Sequence, residues 1–144
     1  MDCPEPLHLV VPATLLDARA ATERVVKLCG RFDTEERARY GTAVMEWLVN
    51  VVKHSYCHAA GARITIHALV GPDAIELMVE DTGLGMAPWK FDAAPSEVLF
   101  DQTDIASLPE SGMGLAIIKS VMDSVHYQTE HGINRLTAVR RWER

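Results

Sequence analysis

Residues 33–57, DTEERARYGTAVMEWLVNVVKHSYC, constrain the fold more than any other stretch, because their apolar positions recur at helical spacing over the longest such run in the chain. Asp33 is placed as an N-cap, and Glu35 and Glu36 fall in the first turn, where carboxylates meet the positive end of the helix dipole. A helix is therefore expected from Asp33 to about Cys57. Val44, Leu48, Val51 and Val52 demand burial, yet Glu46, Asn50 and His54 follow one another at four-residue steps among them. On a 3.6-residue turn these three form one slowly drifting polar stripe. The stripe reads either as a partly solvated helix face or as the wall of a polar site.

The segments around this helix have short-element patterns. LHLVVPA (residues 7–13) is a β-rich run, and TLLDARAATERVVKLCG after it has helical spacing at Leu15, Leu16, Val25 and Leu28, with Gly30 as a stop. ARITIHALV and AIELMVED alternate as strands, and GPD at residues 71–73 supplies hairpin-turn chemistry between them. From residue 86 to 111 the pattern dissolves into Pro88, Pro95, Pro109 and scattered polar residues, which at that length reads as a lid or as disorder. GMGLAIIKSVMDSV then places Leu115, Ile117, Ile118, Val121 and Met122 on a helix that opens directly on Gly112 and Gly114, and HYQTEHGINRLTAVRRW closes as a hairpin around residues 131–134. The expected fold class is α+β: a two-layer sandwich with helices on one face of a mixed, mostly antiparallel sheet, in one domain over residues 1–144.

Composition narrows the function. An apolar fraction of 48% and a charged fraction of 24% are ordinary for a globular protein, and a net charge of -6 disfavours nucleic acid and anionic lipid as partners. Aromatic content of 6% is too low for a base-stacking surface, and the terminal RRWER reads as a solvated strand end and tail. Trp47 and Trp89 read as packing or lid anchors. Cys3, Cys29 and Cys57 are odd in number and have no CxxC pair, so reduced thiols and a cytoplasmic location are expected. The N-terminus MDCPEPLHLVV lacks a basic region and a long apolar stretch, so neither a signal peptide nor a membrane span is expected.

Two glycine sites and the stripe can carry chemistry. In EDTGLGM, Asp81 ends a strand and Gly83 and Gly85 let the backbone turn sharply and approach a ligand; the alternative is a plain turn. In ESGMGLAII, Gly112 and Gly114 lie at a helix N-terminus, where free N–H groups and the dipole favour an anion; the alternative is a cap. Neither the P-loop ending nor the strand–GxGxxG–helix order is present. Glu46 has the chemistry of a general base and Asn50 that of a hard oxygen ligand for Mg²⁺. Lys53 reads as a solvated side chain or as a supporting charge near phosphate. His54, Cys57 and His58 stand at spacings that can share one metal, but they match no closed zinc signature, and Cys57 is expected to be a small buried hydrophobe at the helix end.

MEWLVNVVKHSY, EDTGLGM and GMGLAIIKSVMD, in that order, resemble the N, G1 and G2 boxes of the GHKL ATP-binding superfamily, which includes gyrase, Hsp90, histidine kinases and MutL. The resemblance runs from about residue 7 to 139 and implies the Bergerat ATP-binding fold, with residues 86–111 as the ATP lid. Glu-x-x-x-Asn-x-x-x-His-x-Tyr and the lid ending DIASLPESGMGL look most like the RsbW and SpoIIAB type of anti-sigma-factor serine kinase. Carried over, the resemblance makes Glu46 the base for an acceptor serine, Asn50 the Mg²⁺ ligand, and His54, with Lys53 beside it, a support on the phosphate side. Asp81 resembles the carboxylate that receives the adenine amino group, with Gly83, Gly85 and Met86 shaping that pocket. Gly112, Met113, Gly114 and Leu115 resemble the phosphate-binding loop, and Thr137 the threonine near adenine, although the glycine usual before it is replaced by NRL. Members of this group often carry an arginine in the lid, whereas residues 86–111 contain only Lys90 as a cation. The resemblance thus implies a cytoplasmic, homodimeric serine protein kinase that uses ATP and Mg²⁺, phosphorylates a STAS-domain anti-sigma-factor antagonist, and sequesters a sigma factor. The alternative is a partner-binding module that binds ATP with weak or no phosphoryl transfer.

Overall fold

The computed structural model describes residues 6–93 and 110–143. After strand β1 (Leu7–Pro12), Thr14 caps α1 (Leu15–Val26), its hydroxyl oxygen accepting from the Asp17 N–H at 3.0 Å. Asp33 caps α2 (Thr34–Asn50) as expected, accepting from the Glu36 N–H at 2.8 Å. Each such cap contributes about 1 kcal/mol. α1 leaves the helical path before Gly30, and tight turns close its end, with the N–H groups of Leu28 and Cys29 bonded to the carbonyls of Val25 and Val26.

The remaining elements are β2 (Arg63–Val70), β3 (Ala74–Asp81), α3 (Pro88–Ala93), α4 (Glu110–Val121), β4 (Ser124–Glu130) and β5 (Ile133–Arg141). α3 and the first residues of α4 fall within the expected lid; residues 94–109 of that segment, and Cys3, lie outside the described residues. The strands form one sheet in the order β1-β2-β3-β5-β4, and every described pairing is antiparallel. β4 and β5 join through His131 (φ 53°) and Gly132 (φ 77°), the two left-handed positions that a two-residue hairpin turn requires.

Strand alternation decides what lies beneath the helices. Ile64, Ile66 and Ala68 of β2, Ile75, Leu77 and Val79 of β3, and Leu136 and Ala138 of β5 are buried, packed with Val25, Val44, Leu48, Val51, Val52 and Ile118 from the helical layer. Full burial of a Val, Leu or Ile side chain contributes about 1.5–3 kcal/mol. The same alternation brings three polar side chains inward: Asp81, Asn134 and Arg140. Arg140 is neutralised by Glu36 at 2.6 Å and Asp123 at 3.8 Å, and lies over the Phe32 ring at 4.8 Å. RRWER is therefore not simply a solvated end: among its described residues Arg140 and Trp142 are buried, while Arg141 and Glu143 face outward.

The cysteines divide differently from expectation. Cys57 is exposed and left-handed (φ 50°), because the helix unwinds there, so it is not a core residue. Cys29 is buried, and burial pushes its thiol up to about 12 despite the nearby Arg37 guanidinium; burial also pushes the Tyr40 phenol upward. The folded chain thus holds a proton on Cys29 that the unfolded chain releases from about pH 9. Stability from this site is complete below that pH and is lost as pH rises toward 12, with Tyr40 adding the same sign at higher pH. Urea unfolding is expected to give a free energy that falls from pH 9 to 11, and a shallower fall for Cys29→Ala. Equal slopes for the two proteins would contradict this.

Candidate functional site

The polar stripe of α2 ends in a change of helix type. Val51–Ser55 forms a π-helical turn in which the Tyr56 N–H bonds the Val51 carbonyl at 2.9 Å, five residues back. The wider turn leaves His54 exposed and carries Ser55 inward, where it is 7% exposed. The Ser55 carbonyl accepts from the Leu84 N–H at 2.7 Å, and its hydroxyl donates to Asp81 Oδ1 at 2.5 Å while accepting from the Gly85 N–H at 3.0 Å. Tyr56 fastens the same loop: its hydroxyl accepts from the Thr82 N–H at 2.8 Å and donates to the Arg63 carbonyl at 2.6 Å.

Asp81, at the inner end of β3, is 4% exposed. Besides Ser55, the Gly83 N–H at 3.0 Å and Asn134 Nδ2 at 2.8 Å donate to its Oδ1. No hydrogen bond from the described residues reaches Oδ2. Asp81 lines a pocket of about 260 Å³, open mouth included, with Trp47, Asn50, Val51, His54, Ser55, Gly85, Met86 and Tyr127. Its aromatic wall is fixed by edge-on packing of Trp47 on Tyr127 (5.5 Å) and Phe91 (6.4 Å), and by the Met86 N–H donating to the Tyr127 hydroxyl at 2.9 Å. Trp47 Nε1 and Asn50 Nδ2 are both buried with no hydrogen-bond partner among the described residues. Two unspent donors in one pocket wall suit a ligand rich in acceptors.

α4 closes the other side of the stripe. A Cβ placed on Gly114 would stand 3.1 Å from Glu46 Oε2 and 3.2 Å from Asn50 Nδ2, so the absent side chain lets the helix lie directly on these two groups. α4 begins at Glu110, two residues before Gly112; the glycines lie inside its first turns and not ahead of them. The N–H group of Gly112 is among those at a helix start with no partner in the helix, and such an end favours an anion.

The histidine kinase-like ATPase domain family matches residues 11–140. The chain belongs to this family. It is 30% identical over 96 residues to the serine-protein kinase RsbW of Bacillus mycoides (strain KBAB4), covering 65% of this chain and 58% of that protein. It is also 30% identical over 96 residues to the anti-sigma F factor of Clostridium perfringens (strain SM101 / Type A), covering 67% and 65%. The match thus spans less than two thirds of these relatives' length. A solved structure of the RsbU and RsbW domains of a Mycobacterium tuberculosis protein superposes with a TM-score of 0.62 at 20% identity, over 96% of this chain and 32% of that one. The mycobacterial sensor histidine kinase MprB gives 0.56 at 22%, over 95% and 97%. Both share the fold.

Within the histidine kinase-like ATPase domain the structure gathers Glu46, Asn50 and Gly114 at one end of the site, and Asp81, Gly83, Gly85, Met86 and Ser55 at the other, with His54 at the mouth. Leu115 is buried in the core, and Lys53 is exposed and outside the pocket lining. His54, Cys57 and His58 form no group of metal-binding side chains among the described residues. Thr137 is not brought to the site: it pairs with Met78 and His126 on the face of the sheet away from the helices. The inward position is Asn134, directly opposite Asp81. Asn134 and Ser55 are the site residues that motif reasoning missed. Alternation in INRLTAVRR could have found the first, because Asn134 is in phase with Leu136 and Ala138 while Thr137 is not; no comparable signal marks the π turn.

The glycines of the loop are sterically required. A Cβ on Gly83 would lie 2.5 Å from Ser55 Oγ and 2.6 Å from its carbonyl carbon, and one on Gly85 (φ +70°) would lie 2.7 Å from Asn134 Cγ. Gly83→Ala is expected to lower unfolding free energy by about 1–3 kcal/mol. Gly30→Ala, in open space, should change it by less than about 0.5 kcal/mol. Urea titration of the two variants checks this, and equal stabilities would refute the close packing at Gly83.

Proposed function

We propose that this chain is an ATP-dependent serine protein kinase of the anti-sigma-factor type, using Mg²⁺ and acting on a STAS-domain antagonist while sequestering a sigma factor. The carrying observation is the close approach of Gly114 to both Glu46 and Asn50, with Asn50 lining the same pocket as Asp81, which sets a carboxylate and an unspent amide beside the first turns of a helix. The RsbW and anti-sigma F relatives support the same reading. No helix among the described residues is long and apolar enough to cross a membrane.

The residues present fit Mg²⁺ and ATP. Asn50 offers two different ends beside a cradle that a Cβ at residue 114 would fill: its side-chain oxygen suits a hard cation, and its buried, unpartnered Nδ2 suits a phosphate oxygen. Bound, Mg·ATP supplies the phosphoryl group and the charge that neutralises it. Asn50 would hold the metal through its side-chain oxygen, and the first N–H groups of α4, including that of Gly112, would face the phosphates. Asp81 would accept from the base amino group. Glu46 takes the proton of the acceptor serine, whose oxygen must enter beside Gly114. His54, at the mouth, supports the phosphate side, with the exposed Lys53 next to it in sequence, and a second copy of the chain completes the functional dimer.

The absence of arginine from residues 86–111 favours one alternative, a nucleotide-dependent binding module without efficient transfer. Radiolabelled ATP with the cognate STAS-domain protein separates the two. Label is expected on a partner serine, reduced at least about a hundredfold in Glu46→Ala with ATP affinity retained; ATP and partner binding without transfer over hours would leave the binding module. For Asn50→Asp, calorimetry with and without Mg²⁺ is expected to show an altered Mg²⁺ dependence of nucleotide affinity in a folded protein. Identical titrations to the parent chain would remove Asn50 from the metal site.

A further inference from the structure

We infer that Asn134 is a positioning residue that makes the pocket selective for a 6-amino over a 6-oxo purine, an inference resting on the proposed nucleotide reading. Asn134 stands between Thr129 and Asp81 in one row across β4, β5 and β3. Its side chain is 1% exposed as a residue and fully engaged: Oδ1 accepts from the Thr129 hydroxyl at 2.8 Å, while Nδ2 donates to Asp81 Oδ1 at 2.8 Å and to the Gly83 carbonyl at 3.1 Å. The reversed amide would set its oxygen against two acceptors, so the Gly83 carbonyl and Asp81 Oδ1 together fix which end meets Asp81, and the Thr129 hydroxyl donates to the other end.

This polarity has a consequence for the base. Every described partner of Asp81 is a donor, namely the Ser55 hydroxyl, the Gly83 N–H and the Asn134 amide, and all three meet Oδ1. Such a shell holds the carboxyl group against rotation and leaves Oδ2, which no described residue meets, to face a ligand as an acceptor. An exocyclic amino group can donate to it. A 6-oxo group would bring a second acceptor against it, and a buried polar site rejects a mismatched partner strongly because the lost bonds cannot be made to water. Asn134 also occupies the space that a side chain at residue 85 would take, so Gly85 and Asn134 are tied sterically as well as through Asp81.

The test is calorimetric titration of the full chain with Mg·ATP and with Mg·ITP, which differs in the base only by the 6-oxo form. The parent chain is expected to prefer ATP. Asn134→Ala should lose about tenfold in ATP affinity, with the ATP/ITP ratio falling by a similar factor, while Asn134→Thr, which keeps a donor, retains more of the ratio. Ser55→Ala removes a second donor to the same oxygen and should move the ratio in the same direction, which keeps the test decisive if Asn134→Ala fails to fold. If the parent chain discriminates and the folded variants keep its full ratio, whatever their melting temperatures, Asn134 is structural only and this inference alone falls. If the parent chain binds neither nucleotide or binds both equally, the reading of the base pocket falls and this inference with it.

Discussion

A carboxylate that is 4% exposed costs free energy unless donors meet it, and the organisation of this protein follows from the three donors that converge on Asp81 Oδ1. Its donors come from three separate places: the end of the long helix, the glycine loop and the last strand. Each bond therefore fixes a distance between elements far apart in sequence. The π turn at Val51–Ser55 is the adjustment that lets one of them form, because it places the Ser55 hydroxyl against Asp81 and its carbonyl against Leu84. π turns insert one residue into the helical ladder at the cost of poorer hydrogen-bond geometry, and they recur at functional sites. Here the return is a loop held from both sides.

The long helix thereby serves two layers. Leu48, Val51 and Val52 pack into the sheet, while Glu46 and Asn50 meet α4 at Gly114. A side chain at 114 would displace one or both polar groups, so the smallest residue sets the distance between the two helices at the point where the stripe must stay usable. The other end of α2 is held by charge. Glu36, in its first turn, pairs with the buried Arg140 of β5, so the helix is tied to the same strand at both ends, through Arg140 at one and, by way of Ser55 and Asp81, Asn134 at the other.

Much of this was legible in the sequence, for identifiable reasons. Alternation located β2 and β3 to within a residue, because one of their faces is buried and the period of two is strict. Asp33 marked the start of α2 because an unpaired N–H needs an acceptor. The end of that helix was not legible: π and α turns place no different demand on residue type at Lys53 or His54, and the reason for the π turn lies in Asp81, which is distant in sequence. Thr137 was assigned to the site by motif likeness, and its odd separation from Asn134 places it on the other face. The burial of Arg140 followed the same alternation, hidden by a charge run whose average behaviour is to be solvated.

The two ends of the candidate site differ in how much the chain does for itself. At the proposed base end, Ser55, Gly83, Asn134 and Thr129 form a connected network of hydrogen bonds, so Asp81 is held in place before any ligand arrives. At the proposed phosphate end, no described hydrogen bond holds Glu46, and Asn50 retains an unspent buried donor. A preorganised base pocket supplies affinity that is the same in ground and transition states, whereas rate comes from groups fixed around the reacting atoms. On the proposed function, nucleotide binding is therefore intrinsic to this chain, and transfer depends on what the acceptor protein adds beside Gly114 when it docks. A serine entering there meets Glu46 directly, and any cation that it brings supplies what residues 86–111 provide only through Lys90. That division places control of the chemistry in the encounter between the two proteins.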